Sequence, residues 1–311
     1  MRGAGAVTWN PDPLHVLTKQ ELLQAACNCD VLVCLLHDRV DGDVINANPA
    51  LRAVASMTVT PADIDVAAAT RRRIPVTVVP ARLLDDATAD LHWGLLLAVA
   101  RRVAESDRLM RAGIFPGSQS CHLVGGSVSG KVMGILGMGG VGRAVARRAR
   151  GFGMRILYYD PTRLAAAAES ELGLTWVAFD ELLTQSDFVS VNARLTAETR
   201  HLLSDREFSL MRPTAYVINA ARGPIIDEPA LVRALEEHRI AGAGLDVYES
   251  EPRPHPRLLD LQNVVLTPHV GSGDVVTRDA MANVVADNVL AVLAGRRPPN
   301  CWNLEIYQSG S

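Results

Sequence analysis

Three polar residues could together reduce a carbonyl group if the fold brings them to one place. Arg222, Glu251 and His269 each follow an apolar run of the kind that forms a buried β-strand. In open α/β sheets, ligands bind at the carboxyl ends of the strands, so these side chains could converge on one crevice. They would supply a cation, a proton donor and the carboxylate that orients this donor. Each residue taken alone also has an explanation that requires no function. Arg222 could be a surface arginine at a turn, Glu251 a solvated acid and His269 a capped histidine.

A glycine-rich segment earlier in the chain has the spacing of a dinucleotide-binding loop. It follows an apolar run that ends at Leu136 and opens a helical stretch, and a second apolar run then ends at Asp160. This order of strand, glycine turn, helix, strand and acid is typical of the fingerprint that binds a pyrophosphate at a helix N-terminus. The residues of the loop are Gly137, Met138, Gly139, Gly140, Val141 and Gly142. The alternative is a glycine-rich turn that binds no ligand.

Asp160 bears on which dinucleotide would bind. Its carboxylate would accept hydrogen bonds from the hydroxyls of the adenosine ribose, and its charge would repel a 2′-phosphate. The pattern therefore favours NAD over NADP, although Arg163 is near enough in the sequence to soften that preference.

The elements that must position these residues alternate along the chain in two series. Short apolar runs that predict strands are separated by helical stretches, which indicates parallel sheets covered by helices and hence an α/β fold. A long helical pattern over 87–111 separates the two series, and a final helix is predicted over 275–294. The predicted strands cover 31–36, 51–57, 75–79, 132–136, 155–159, 188–192, 215–219, 242–246 and 264–267.

Composition excludes several other classes of protein. The 311 residues are 48% apolar and 21% charged, with a formal net charge of −3, which argues against a binder of nucleic acid or anionic membranes. The longest apolar run, over 95–100, is too short to span a bilayer. The five cysteines are scattered without paired spacing, so we expect reduced thiols in a cytoplasmic protein, with no disulfides and no metal site.

The chain resembles the D-isomer-specific 2-hydroxyacid dehydrogenases in three segments, which are 134–160, 218–252 and 263–272. The similarity is greatest to the glyoxylate/hydroxypyruvate reductase branch of that family. It implies two Rossmann- or flavodoxin-like parallel-sheet domains with a cleft between them, in a protein that forms homodimers. Residues 1–92 plus 273–311 would form the substrate-binding domain, and residues 93–272 would form the NAD-binding domain.

The resemblance also implies a role for each candidate residue. Arg222 binds the carboxylate of the substrate and polarises its C2 carbonyl, while Asp246 holds the nicotinamide carboxamide. His269 donates the proton during reduction and accepts it during oxidation, and Glu251 pairs with His269 and fixes its orientation. The further cofactor contacts that the resemblance implies are Thr88 and Ala220.

The implied activity is hydride transfer between NADH and a 2-oxo acid, which yields a D-2-hydroxy acid. Two alternatives stay open at this point. One is an NAD-sensing scaffold without catalysis, as in the transcriptional corepressors that share this fold. The other is an enzyme impaired by its departures from the family pattern.

The clearest departures lie where the substrate would be selected. Thr60 follows Val59 at a position where the family has glycine, so the backbone cannot be assumed to hold a carboxylate in the family's way. Arg194 lies in a turn that in the family usually contains proline, and Arg82 lies in a loop that precedes the long helix. Either arginine could select a 2-oxo acid more anionic than glyoxylate. The simpler interpretation is an arginine that lies outward over the surface.

The resemblance begins at about the second strand of the family's fold. The substrate-binding domain is therefore expected to lack its first strand–helix unit, through a misassigned start or a true loss. A true loss would expose an edge of the sheet.

Overall fold

The computed structural model describes residues 5–12, 14–115, 117 and 121–308. The chain divides into two compact units, and it leaves the first unit for the second and then returns. The first unit comprises 1–83 and 274–311, and the second comprises 84–273. Among the described residues, no helix combines the length and the hydropathy that a membrane span requires.

The described strands and helices alternate along most of the chain. The strands are β1 (Val31–Cys34), β2 (Ala53–Ser56), β3 (Val76–Thr77), β4 (Val132–Leu136), β5 (Arg155–Tyr159), β6 (Leu174–Trp176), β7 (Phe188–Val191), β8 (Tyr216–Asn219), β9 (Gly242–Leu245) and β10 (Val264–Leu266). The α-helices are α1 (Lys19–Cys27), α2 (Gly42–Asn46), α3 (Val66–Arg71), α4 (Asp85–Ala100), α5 (Val103–Arg111), α6 (Gly140–Gly151), α7 (Ala166–Leu172), α8 (Phe179–Gln185), α9 (Asp205–Leu210), α10 (Glu228–Glu236) and α11 (Val275–Leu293).

The first unit is built on a parallel sheet whose strands lie in the order β1-β2-β3. Val31 pairs with Ala53 and Val54 pairs with Val76, so the sheet grows by one neighbouring strand at a time along the chain. β2 is buried over its whole length, and α11 packs against it after the chain has returned from the second unit. The side chain of Asp274 begins α11 by accepting a hydrogen bond from the N–H of Thr277.

The second unit contains a parallel sheet with the strand order β10-β9-β8-β7-β4-β5-β6. From β4 the chain builds the sheet in one direction through β5 and β6, and in the other direction from β7 to β10. The strand order therefore reverses between β4 and β7, and ligands bind outside the carboxyl ends of strands at such a switch point. The predicted α/β fold with parallel sheets is confirmed.

The long helix predicted over 87–111 is interrupted. Its first part ends at Ala100, Arg102 takes a left-handed φ of 53°, and α5 then begins at Val103. The carbonyl oxygen of Ala100 accepts a hydrogen bond of 2.8 Å from the N–H of Gly126. A Cβ atom at Gly125 would lie 2.3 Å from the same oxygen, so glycine is needed there for the loop to approach. The carbonyl oxygen of Ala100 therefore bonds to a distant loop and not to the next turn of the helix. Local periodicity in the sequence does not reveal such a contact.

Candidate active site

The glycine loop lies at the carboxyl end of β4, at the switch point of the sheet. Gly137 has a φ of +91°, and a Cβ atom there would lie 2.7 Å from the backbone of Ala193. A Cβ atom at Gly142 would lie 2.2 Å from the carbonyl oxygen of Gly137. The turn and α6 can therefore come this close to each other only because both positions are glycine. Gly139 is the N-cap of α6, makes no side-chain cap and has open space around its Cα. The N–H groups of this helix end are thus suited to an anion such as a pyrophosphate.

Asp160 follows β5 and is tied to the glycine loop. One carboxylate oxygen accepts a hydrogen bond from the N–H of Met138 at 3.0 Å, and the other accepts one from Thr162 at 3.0 Å. Arg163 instead donates two hydrogen bonds to Glu169, at 2.8 and 2.9 Å. The Arg163 guanidinium lowers the pKa of Glu169 to about 2. The carboxylate of Asp160 is therefore held at the end of β5, whereas Arg163 is engaged with another acid.

His269 and Glu251 form a hydrogen-bonded pair in the second unit. The ring Nδ1 of His269 lies 2.7 Å from Oε2 of Glu251, and both side chains are largely buried. The other oxygen of Glu251 accepts a hydrogen bond from the N–H of Tyr248 at 3.0 Å. His269 has a φ of +54°, which is uncommon for a residue other than glycine. A carboxylate that is itself oriented by the backbone therefore fixes the imidazole through one ring nitrogen.

Asp246 follows β9 and holds the loop that carries His269. Its carboxylate accepts hydrogen bonds from the hydroxyl of Thr267 at 2.6 Å and from the N–H groups of Val270 and Gly271, each at 2.8 Å. Its carbonyl oxygen accepts the N–H of His269 at 2.9 Å. Burial raises the pKa of the Asp246 carboxyl. Both oxygens of the residue expected to hold a carboxamide thus already have partners within the protein.

Arg222 lies just after β8, where the side chain of the buried Asn219 shapes the turn. Asn219 donates a hydrogen bond to the carbonyl of Arg222 at 3.0 Å and accepts one from the N–H of Ala221 at 3.0 Å. Partial burial lowers the pKa of the Arg222 guanidinium, and the charge of Glu251 opposes this shift. Glu251 is thus paired with His269 and lies near enough to Arg222 for their charges to interact, and the three residues follow β8, β9 and β10 in the chain.

The other predicted contact residues occupy varied places. Thr88 lies on α4 against the loop after β10, since a Cβ atom at Gly271 would lie 3.5 Å from its side chain. Ala220 is buried after β8, and Arg194 is exposed.

The predicted substrate loop of the first unit, which contains Val59 and Thr60, is held together by hydrogen bonds of side-chain hydroxyls. Thr58 donates a hydrogen bond of 2.7 Å to the carbonyl oxygen of Thr60, and its hydroxyl lies 2.6 Å from that of Ser56. Val59 is half-buried and Arg82 is exposed. Thr60 keeps a negative φ, so the loop adopts no conformation that would require the family's glycine.

Comparison with known proteins agrees with this geometry. The family model of the D-isomer specific 2-hydroxyacid dehydrogenase NAD-binding domain matches residues 93–271. The chain belongs to the D-isomer specific 2-hydroxyacid dehydrogenase family. It is thus an oxidoreductase of 2-hydroxy and 2-oxo acids that uses a nicotinamide cofactor, and the family predicted from its motifs is confirmed.

Individual relatives of this dehydrogenase extend over nearly the whole chain. A protein named glyoxylate reductase from Thermococcus gammatolerans is 46% identical over 296 residues, which are 94% of this chain and 88% of the relative. The crystal structure of the TT0316 protein from Thermus thermophilus is 40% identical, with a TM-score of 0.85 over 92% of this chain and 90% of that one. An NADPH-dependent glyoxylate/hydroxypyruvate reductase from Sinorhizobium meliloti is 32% identical, with a TM-score of 0.75 over 90% and 86% of the two chains.

The dehydrogenase also has a buried polar cluster that sequence reasoning missed. The imidazole Nε2 of His92, on α4, lies 2.9 Å from the hydroxyl of Ser190 on β7, and Asn192 donates a hydrogen bond of 2.7 Å to the same hydroxyl. The N–H of Asn192 in turn donates to the carbonyl of Leu136, immediately before the glycine loop. The only signal in the sequence is a polar residue inside each of two apolar runs.

His92 must stay neutral in the folded protein. Its side chain is fully buried, and within the described part of the chain its Nδ1 has no hydrogen-bond partner. Burial lowers the pKa of His92 to about 3, well below its value of about 6.5 in an unfolded chain. Because folding excludes the proton, stability is complete above the unfolded pKa and is lost as the pH falls towards the folded pKa.

We therefore expect the wild-type protein to lose about 2 kcal/mol of unfolding free energy through His92 between pH 7 and pH 5. His92→Gln keeps a polar group near Ser190 but cannot take up this proton, so its stability should depend less on pH by that amount. Urea unfolding of both proteins at the two pH values measures the difference. His122→Gln, at an exposed histidine, is the control and should follow the wild type. Parallel pH dependence of wild type and His92→Gln would show that His92 is not buried in a neutral state.

Proposed function

We propose that this dehydrogenase reduces glyoxylate or a closely related 2-oxo acid with NADH as the hydride donor. The observation that carries the proposal is the contact of 2.7 Å between Nδ1 of His269 and Glu251, with Arg222 within electrostatic reach of the same carboxylate. This set can supply a proton and bind an anion at one place. The name of the relative from Thermococcus gammatolerans supports the substrate class.

The residues near the glycine loop fit a dinucleotide. The N-terminus of α6 offers uncapped N–H groups to the pyrophosphate, and Gly139 leaves room for it. Asp160 would accept hydrogen bonds from the adenosine ribose with the oxygen lone pairs that its backbone contacts leave available. When bound, the nicotinamide would supply the hydride for C2 of the substrate.

In the proposed reaction, the residues of this chain bind the substrate and move one proton. The guanidinium of Arg222 binds the carboxylate of the 2-oxo acid and polarises its carbonyl. Because Glu251 engages Nδ1 of His269, the proton would pass from Nε2 to the oxygen of the carbonyl as it becomes an alkoxide. Glu251 holds the ring through Nδ1, so that Nε2 is the nitrogen left to exchange the proton with the substrate. In the opposite direction His269 would accept the proton of the hydroxyl.

Replacing His269 separates chemistry from cofactor binding. We expect His269→Asn to lower kcat for NADH-dependent reduction of glyoxylate by about 10²- to 10⁴-fold, since the proton donor is lost. Arg222→Lys should chiefly raise KM for the 2-oxo acid, because a lysine cannot form the paired hydrogen bonds of a guanidinium. Stopped-flow and steady-state assays measure both constants, and fluorescence titration should show NADH binding close to that of the wild type.

His122→Asn serves as the matched control for His269→Asn and should retain full activity. An unchanged kcat in His269→Asn would refute the assigned proton transfer. NADH binding by the wild type without turnover of any 2-oxo acid would refute the proposed function.

We further propose that the preferred cofactor is NAD rather than NADP. The carboxylate of Asp160 at the end of β5 would lie near a 2′-phosphate, and Arg163, which could offset its charge, is engaged with Glu169. A solved relative is described as NADPH-dependent, so the family accommodates both cofactors. Homodimer formation and a cytoplasmic location stay predictions.

Asp160→Asn tests the preference with little change in shape. It removes the charge that repels the 2′-phosphate, so the ratio of kcat/KM for NADPH to that for NADH should rise by about tenfold. The Glu169→Gln variant is the comparison, since it releases Arg163 and should shift the ratio in the same direction. An unchanged ratio in Asp160→Asn would show that this carboxylate does not select the cofactor.

Arg82 and Arg194 are proposed to favour substrates with a second anionic group. Both side chains are exposed, so each could pair with a carboxylate at low desolvation cost. The variant Arg82→Ala/Arg194→Ala should lose several-fold more kcat/KM on a dicarboxylic 2-oxo acid than on glyoxylate. Arg101→Ala, at another exposed arginine, should leave both values unchanged. Equal losses on both substrates would remove the two arginines from the specificity determinants.

A further inference from the structure

Asp85, the first residue of α4, lies against the N-terminus of α6. A Cβ atom added to Gly140 would lie 2.0 Å from Oδ2 of Asp85 and 2.5 Å from Oδ1. The carboxylate therefore occupies the space that any side chain at position 140 would fill. Gly140 follows the N-cap of α6, so an acidic side chain contacts the helix end proposed to receive the pyrophosphate.

The charge of Asp85 is not balanced as the charges of its neighbours are. Asp86, the next residue, lies 3.1 Å from Arg147 and 3.0 Å from Arg148, and Asp90 lies 2.7 Å from Arg148. For the carboxylate of Asp85, the described residues provide neither a hydrogen bond nor an ion pair. Burial and the charge of Asp86 raise the pKa of the Asp85 carboxyl, which the charge of Arg147 opposes. Its carboxylate is thus partly removed from water without a direct partner in the described part of the chain.

A carboxylate in this position has opposite effects in the free and the cofactor-bound protein. In the free protein it interacts favourably with the positive end of the α6 dipole. When a pyrophosphate binds to the same helix end, two like charges are brought close together in a partly desolvated place. The carboxylate therefore stabilises the cofactor-free state relative to the bound state.

We propose that Asp85 lowers the affinity of the protein for its dinucleotide and so speeds cofactor release. The inference rests on the proposed function, since it requires the dinucleotide to bind at the glycine loop. The proposal assigns to α4 a positioning role that no motif of the sequence indicates. The helix places beside the pyrophosphate site a carboxylate that forms no ion pair with the described residues. Cofactor release limits turnover in many enzymes, so weaker binding is compatible with efficient catalysis.

The test compares NADH binding by the wild type, Asp85→Asn and Asp90→Asn. Asp85→Asn keeps the shape of the side chain and removes its charge, and Asp90→Asn makes the same change in net charge on the same helix. Fluorescence titration at low ionic strength should show about three- to tenfold tighter binding by Asp85→Asn, with Asp90→Asn close to the wild type. The dissociation rate of NADH, measured by stopped flow, should fall in parallel.

Ionic strength separates a charge effect from a packing effect. The difference between Asp85→Asn and the wild type should shrink as KCl is raised to about 0.5 M, where the Debye length is only a few ångströms. A difference independent of salt, or equal or weaker binding by Asp85→Asn, would overturn the proposal while leaving the proposed function intact. Failure of all three folded proteins to bind NADH would overturn both, and thermal unfolding without ligand establishes that each is folded.

Discussion

The hydrogen bonds of the buried Asp246 carboxylate organise the part of the second unit in which the acid–base pair lies. They join the end of β9 to the loop after β10 through Thr267, Val270 and Gly271. A carboxylate taken out of water is costly unless donors compensate it, and here a hydroxyl and two backbone N–H groups do so. His269, which has a left-handed φ of 54°, is tied to this part of the chain because its N–H donates a hydrogen bond to the carbonyl oxygen of Asp246. The direction of the imidazole therefore depends on a residue that acts through the loop backbone.

A second constraint is the close packing of α4 on the sheet. A Cβ atom at Gly244 of β9 would lie 2.9 Å from Cβ of Leu95, so the strand must carry glycine where the helix crosses it. With its place on the sheet fixed, the N-terminal half of α4 carries three polar side chains towards the carboxyl ends of the strands. Asp85 reaches Gly140, Thr88 reaches Gly271 and His92 reaches Ser190. The helix thus acts as a frame for the cofactor-binding end of the unit as well as a cover for its core.

Sequence patterns predicted the parts of this arrangement that depend on neighbours along the chain. The glycine loop, the strand before it and the acid at the end of β5 lie close together in the sequence. β6 was missed because three residues, one of them polar, give no periodicity. The pair formed by His92 and Ser190 was missed because 98 positions separate its members. Contacts of that kind become visible only when the sheet has set the register between distant segments.

The two carboxylates beside the glycine loop show why residue type alone does not fix a role. Asp160 accepts hydrogen bonds from the N–H groups of Met138 and Thr162, so its carboxylate has donors and its position is held by the backbone. Asp85 lies against Gly140, where no N–H is directed at it by hydrogen bonding within the described chain. The first carboxylate can present fixed acceptors to a ribose, whereas the second places an unbalanced charge where a polyanion would bind. The same functional group therefore favours one part of a dinucleotide and opposes another, and only the surrounding donors distinguish the two cases.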